Sequence, residues 1–273
     1  MNSLAHAPLA QRPSLAWSQW AAILALVALA LFASLSPWLL PDPYRQDLGA
    51  ILQPPSATHW LGTDAYGRSA LARLAEGTRV SLLLALGSAL AAALLGTLLG
   101  LLAAWRCGVS DRALQGLGDA VMALPALLWV LLLSALAPGE KWPLYMGLVL
   151  TAWVEFFRTT RASVGAVLAG PQVQASRLLG FGPVYIARHH LWPDIRPTTT
   201  ALTAFAVCNA VLAVAAMGFV GIGLRPPGAE LGLLMTESLP YSDDAPQLLL
   251  APVVVLLVCV AALQALARTG EAP

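Results

Sequence analysis

The chain has 273 residues, 58% of them hydrophobic and 11% charged, with a mean hydropathy of +0.73. Soluble domains run at about 45–50% apolar and about 25% charged, so a water-soluble globule of this composition would lack the polar residues to cover its surface. Fifteen Lys and Arg against fourteen Asp and Glu give a net charge of +1. These values describe an integral membrane protein and exclude a secreted enzyme, a nucleic-acid binder and a disordered chain.

About 20 apolar residues are needed to cross a bilayer as a helix. In chain order the candidate spans are Trp17 to Leu40, Val80 to Trp105, Ala113 to Ala137 with Pro125 near its middle, a short Trp142 to Phe157, Thr198 to Leu224, and Leu248 to Ala267. The expected fold is therefore an all-α integral membrane protein with six transmembrane helices. The first apolar run is longer than a signal-peptide core and is preceded by one cation, Arg12, so it reads as a span. The expected organisation is a 1–16 N-terminal segment, a first helix and long outer loop over 17–79, a five-helix core over 80–267 containing an inner loop at 165–197, and a 268–273 tail. No internal or inverted repeat is visible.

Six spans put both termini on one side. With the N-terminus inside, the inner segments hold nine cations (Arg12, Arg106, Arg112, Arg158, Arg161, Arg177, Arg188, Arg196, Arg268) and the outer segments six (Arg45, Arg68, Arg73, Arg79, Lys141, Arg225). The excess favours both termini in the cytoplasm.

The second span carries Ser88, Ala92, Gly96 and Gly100 at spacing four, which aligns small residues on one face where another helix backbone can approach. Among polar residues near the spans, Asn209 needs a hydrogen-bond partner or a watery cavity. Asn209, Thr203, Met217 and Glu155 are the candidate pathway-lining residues. For Glu155, at the inner end of the short fourth span, the plainer expectation is an ion pair with Arg158 at i,i+3. Cys107, Cys208 and Cys259 have no CxxC spacing and no clustered histidine, so they read as apolar filler, with no metal site. No nucleophile–base motif and no Walker lysine occurs, so any ATP-driven work falls to another chain.

The inner loop is the informative segment. Pro171 is a natural helix starter, and Gln172 to Leu179 reads as a short helix stopped by Gly180. Gly182 and Pro183 then separate a second short helix, Val184 to Leu191. Val173, Leu178 and Leu179 are expected to cover one side. Helices this short need something to dock on.

Ala175, Gly180, Ile186, Leu191 and Pro193 in this loop resemble the "EAA" loop of permease subunits of ATP-binding-cassette (ABC) importers. Two further stretches are similar to the C-type dipeptide, oligopeptide and nickel permeases. The first is His59, Trp60, Leu61, Gly62, Thr63, Asp64, Ala65, Tyr66, Gly67 and Arg68, followed by Arg79 to Leu82. The second is Gly218 to Leu224 with Pro227, Glu230, Gly232 and Met235. The resemblance runs from about Asp42 to Ala267. The chain departs from it at Pro171 and Gln172, where the family carries acidic and aromatic residues, and at Ser69, where it often carries Asp.

The resemblance implies a type I ABC importer permease fold whose cytoplasmic coupling helix inserts into an ATPase subunit. The coupling residues would be Val173, Gln174, Ala175, Ser176, Arg177, Leu178, Gly180, Ile186, Arg188, His189 and Pro193. His59, Leu61, Gly62, Thr63, Asp64, Gly67 and Arg68 carry the outer-loop motif. Implied partners are a paralogous B-type permease, two ATPase chains holding ATP and Mg, and a soluble substrate-binding protein, in the bacterial inner membrane. No cofactor is expected on this chain itself, whose role would be non-catalytic. The cargo would be a peptide, nickel or a metallophore complex. The competing readings are a self-sufficient channel or ion-coupled carrier, and a membrane enzyme or scaffold.

Overall fold

The computed structural model describes residues 17–106 and 108–267. These form ten α-helices: α1 (Trp17–Leu39), α2 (Ala70–Arg106), α3 (Val109–Met122), α4 (Ala126–Leu136), α5 (Lys141–Ala169), α6 (Pro171–Leu178), α7 (Pro183–Ile186), α8 (Trp192–Phe219), α9 (Leu231–Ser238) and α10 (Pro246–Ala267). Two isolated bridges, Thr63 with Ser69 and Gly139 with Leu224, are the extended pairings among the described residues. Arg12, Arg268 and Cys107, which enter the readings above, lie outside the described residues.

Four helical stretches, 19–39, 70–106, 183–219 and 246–267, are long and apolar enough to cross a bilayer, and α3 with α4 passes as a pair bent by 82°. The 29-residue α5 supplies the length of a sixth, but its middle carries Glu155, Arg158 and Arg161. The six expected spans thus map onto five apolar stretches and one polar-faced helix. The third expected span is not a single rod. Pro125 lacks an N–H and disfavours helical geometry at Leu124, and the helix breaks between Met122 and Ala126.

α2 packs along α5 and also touches α1, α8 and α9, while α10 packs on α1, α8 and α9. The small-residue face of α2 makes the closest of these seams. A Cβ added at Gly96 would lie 2.4 Å from the Trp153 carbonyl oxygen and 2.5 Å from Phe156 Cβ. At Gly100 it would lie 2.7 Å from the Phe157 carbonyl oxygen. Side chains are excluded there, so the two backbones meet directly. Trp153, Phe156 and Phe157 are buried against this face.

A second seam joins α8, α9 and α2 at the opposite end from α6. Glu230 caps α9, accepting the Gly232 N–H at 3.0 Å, and is wholly buried. Its other carboxyl oxygen has no hydrogen-bond partner and lies where a Cβ on Gly218 would fall. Ser81 Oγ on α2 accepts the Leu231 N–H at 3.3 Å. Burial pushes the Glu230 carboxyl from 4.5 up to about 7, opposed only in part by the Gly232 and Leu233 N–H groups.

Gly96→Ala is expected to lower the melting temperature of the detergent-solubilised protein, at a cost of about 1–3 kcal/mol. Gly116→Ala, inside α3 with nothing within 4 Å of its Cβ, should leave it level or raise it. For Glu230, the folded state holds its proton more tightly than the unfolded one. Stability therefore falls as pH rises from 4.5 through about 7. Glu230→Gln keeps an acceptor for Gly232 and should remove this fall, its gain in melting temperature over the parent growing between about pH 5 and about pH 8.

Candidate functional site

The break between α3 and α4 opens a cavity of about 440 Å³ walled by α2, α3, α4, α5 and α8. Ser88, Met122, Val130, Thr151, Glu155 and Asn209 are on its lining. Of the four residues expected to line a pathway, Glu155 and Asn209 are brought together here. Met217 is instead buried in the core, and the Thr203 hydroxyl donates to the Thr199 carbonyl at 2.7 Å, outside the cavity wall.

α5 runs from Lys141 to Ala169, well past the short span expected at Trp142 to Phe157, and Glu155 is the central residue of the helix. The expected pair with Arg158 does not form. Arg158 donates to Asp119 on α3 at 2.6 Å, and Arg161 grips Asp111 on the same helix through two hydrogen bonds of 2.5 and 2.7 Å. Both arginines are drawn to α3, and Glu155 has no ion pair among the described residues. The hydroxyls of Ser88 and Thr151 donate to backbone carbonyls of their own helices, to Ala85 at 3.1 Å and to Gly147 at 3.1 Å.

At the α6 end, α5 stops at Gly170 and the chain turns directly into α6, with Pro171 at the first helical position. Val173 is fully buried in a small cluster with Val164, Ile186, Leu191 and Ile195, backed by Leu101 and Trp105 of α2. Ser176, also buried, shares a 2.9 Å hydrogen bond with His190. Gly180 ends the helix at φ 83°, with Phe181 N–H bonded to the Ser176 carbonyl and Gly180 N–H to that of Arg177. This is a Schellman cap, and its left-handed residue is the reason for a glycine.

The expected second short helix is not separate. Pro183 begins α7, a π-helical turn over Ala187–Leu191 follows, and the helix continues without a break into α8. Pro193 lies inside this continuous helix, directly after the π-helical turn, where its missing N–H removes one helical hydrogen bond. Nor do Leu178 and Leu179 cover the segment. They are 89% and 76% exposed, next to exposed Phe181 and Val184. Phe181, Tyr185 and His189 stack with ring centres 4.1 and 4.2 Å apart, and His189 bonds the Tyr185 carbonyl. Gln174, Ala175, Arg177 and Arg188 are exposed on the same segment, whereas Ile186 points inward.

At the α9 end the His59–Arg68 motif folds into a compact turn. Gly62 and Gly67 take positive φ, and a Cβ at Gly67 would overlap the Asp47 carbonyl. The His59 carbonyl accepts the Gly62 N–H, Thr63 is buried with its hydroxyl on the Ala50 carbonyl, and Leu61 lines a small cavity of about 190 Å³. Asp64 accepts the Tyr66 and Arg68 N–H groups and pairs with the Arg68 guanidinium at 2.6 Å. Arg73, 1% exposed, donates to Glu237 at 2.5 Å and to the Pro227 and Gly228 carbonyls. Arg73 and Glu237 were not singled out from the sequence. They stand 164 positions apart, and no local pattern links them. Among the described residues no group of three or more His, Cys, Asp or Glu could hold a metal ion.

Residues 96–269 match the family model for "Binding-protein-dependent transport system inner membrane component". The chain is 33% identical over 252 residues to the nickel transport system permease protein NikC of Escherichia coli (strain K12), covering 90% of this chain and 89% of that protein. It is 33% identical over 249 residues to the di/tripeptide transport system permease protein DppC of Pseudomonas aeruginosa (strain UCBPP-PA14), covering 88% and 81%. Its fold is similar to a chain of the MetNI methionine ABC transporter solved in inward-facing conformations, with a TM-score of 0.55 and 19% identity over 73% of this chain and 96% of that one. A buried small-residue seam, a helical segment capped at Gly180 and the turn over His59 to Arg68 occur here in a chain that belongs to the inner-membrane permease components of binding-protein-dependent transport systems, with the type I ABC importer permease fold.

Proposed function

We propose that this chain forms half of the translocation pathway of an ATP-driven importer for peptides or for nickel and its complexes, working with a second permease, two ATPase chains and a soluble binding protein. The ATPase chains hold ATP and Mg, and this chain is non-catalytic. The cargo class rests on the similarity to NikC and DppC. Both termini are taken as cytoplasmic. The excess of cations at the α6 end supports this, and it is sharper than a bare count because Arg68 and Arg73, two of the six cations at the other end, are buried against Asp64 and Glu237.

The observation that carries the coupling role is the exposed apolar row Leu178, Leu179, Phe181 and Val184. The α6 backbone is held by Val173 and Ser176, yet the row itself touches little of this chain. Such a patch on a rigid mount fits insertion into a partner's cleft, with Arg177, Arg188 and His189 as polar contacts at its rim. Closure of the ATPase pair on ATP would move α6 as a rigid body, and the import cycle follows from ATP stabilising one arrangement more than the other.

The test is a double substitution, Leu178→Glu with Val184→Glu, in the assembled importer. Both positions are mostly exposed, 89% and 79%, so the permease should fold and insert as before. Binding-protein-stimulated ATP hydrolysis is expected to drop at least about tenfold, the scale of losing interface anchors. Full stimulation in the double variant would remove the coupling reading.

A further inference from the structure

Resting on the proposal that this chain forms half of a translocation pathway, we infer that the α3–α4 cavity belongs to that pathway and is a transit site for cationic groups, with Glu155 as its charge-selecting residue and Asn209 as its hydrogen-bonding partner. A carboxylate among the helices of a membrane bundle is expensive unless it faces a watery cavity or a counter-ion. Glu155 is the central residue of α5, lies on the cavity wall and has no ion pair among the described residues. Its nearest cation in sequence, Arg158, is held by Asp119 at 2.6 Å. No Lys or Arg is among the lining residues, so the charge of the wall is one-signed.

The hydrogen-bonding character of the wall agrees with its charge. Ser88 and Thr151 give their hydroxyl protons to backbone carbonyls, which leaves them only acceptor capacity. Glu155 is acceptor-only when ionised, and the Asn209 amide supplies the one side-chain donor group among the lining residues, alongside its own acceptor. An ammonium group, or a metal ion carrying its water shell, offers donors and positive charge together. An anionic solute would meet a like charge and a single side-chain donor. The rest of the lining is apolar, which keeps binding weak enough for release.

The experiment reads the potential of the cavity without needing the cargo. In the assembled importer, with Cys107, Cys208 and Cys259 replaced, Asn209→Cys is reacted with a trimethylammonium-bearing and a sulfonate-bearing methanethiosulfonate. The ratio of the cationic to the anionic rate is expected to be about fivefold higher with Glu155 present than in the added Glu155→Gln variant. A ratio unchanged by Glu155→Gln overturns the inference while leaving the pathway reading intact. Failure of the thiol to react with either reagent in any nucleotide state, in an importer still stimulated by its binding protein, overturns the pathway reading itself. Protection of the thiol by tri-lysine, present with Glu155 and lost in Glu155→Gln, would assign an amine-borne charge to the transit site.

Discussion

Everything in this bundle is referred to the backbone contact between α2 and α5. Gly96 and Gly100 leave no room for a side chain between α2 and the carbonyls of Trp153 and Phe157. That contact sets the rotation of α5 about its own axis. With Trp153, Phe156, Phe157 and Thr160 turned to α2, the helical repeat of 100° per residue distributes the rest. Leu148, Thr151, Ala152 and Glu155, related by steps of three and four, share the cavity face. Arg158 and Arg161 fall on a third face and reach α3. Loosening the seam would rotate Glu155 out of the cavity and the two arginines off their aspartates together.

The same two helices that carry the polar cavity residues also carry the exposed segment. α5 runs without a break from Glu155 to Gly170 and then turns into α6, a distance of about 20 Å at 1.5 Å per residue. Asn209 lies on α8, which is continuous with the 183–191 stretch that buries Ile186 and Leu191 against Val173. Under the proposed coupling role, a push on α6 would reach both cavity residues along α5 and α8. The π-helical turn at Ala187–Leu191 and the prolines Pro193 and Pro197 interrupt the regular ladder of the α8 path, and π-helical turns often mark functional positions.

The spans, the small-residue face of α2 and the glycine that ends α6 were legible because each is a local pattern: an apolar run, a spacing of four, a glycine after a helix. What was not legible depended on partners distant in the chain. The sequence pattern ends the fourth apolar run near Arg158 and Arg161, whereas α5 extends to Ala169 with those arginines paired to Asp119 and Asp111, partners 39 and 50 positions away. Leu178 and Leu179 read as covering residues because apolar side chains are expected to be buried, yet here they are outward-facing. Arg73 looked like one more loop cation until Glu237 and the Pro227 and Gly228 carbonyls closed around it.

The bend that opens the cavity would be costly in lipid if nothing met the groups it frees. Breaking a helix leaves the carbonyls of its last turn without intrahelical donors, and in a bilayer each such group costs several kcal/mol, on the order of a lost hydrogen bond in hydrocarbon. Trp129, one turn into α4, returns its indole N–H to the Val121 carbonyl at 2.8 Å. The Gly118 side of α3 lies against Val154 and the Gly147 side of α5 against Val130, so both halves of the bent pair are packed on the same helix. Pro125 starts the break, but Trp129, Gly118 and Gly147 hold its angle. The cavity is therefore a built feature of the fold, made by the same helix, α5, that places a carboxylate in it.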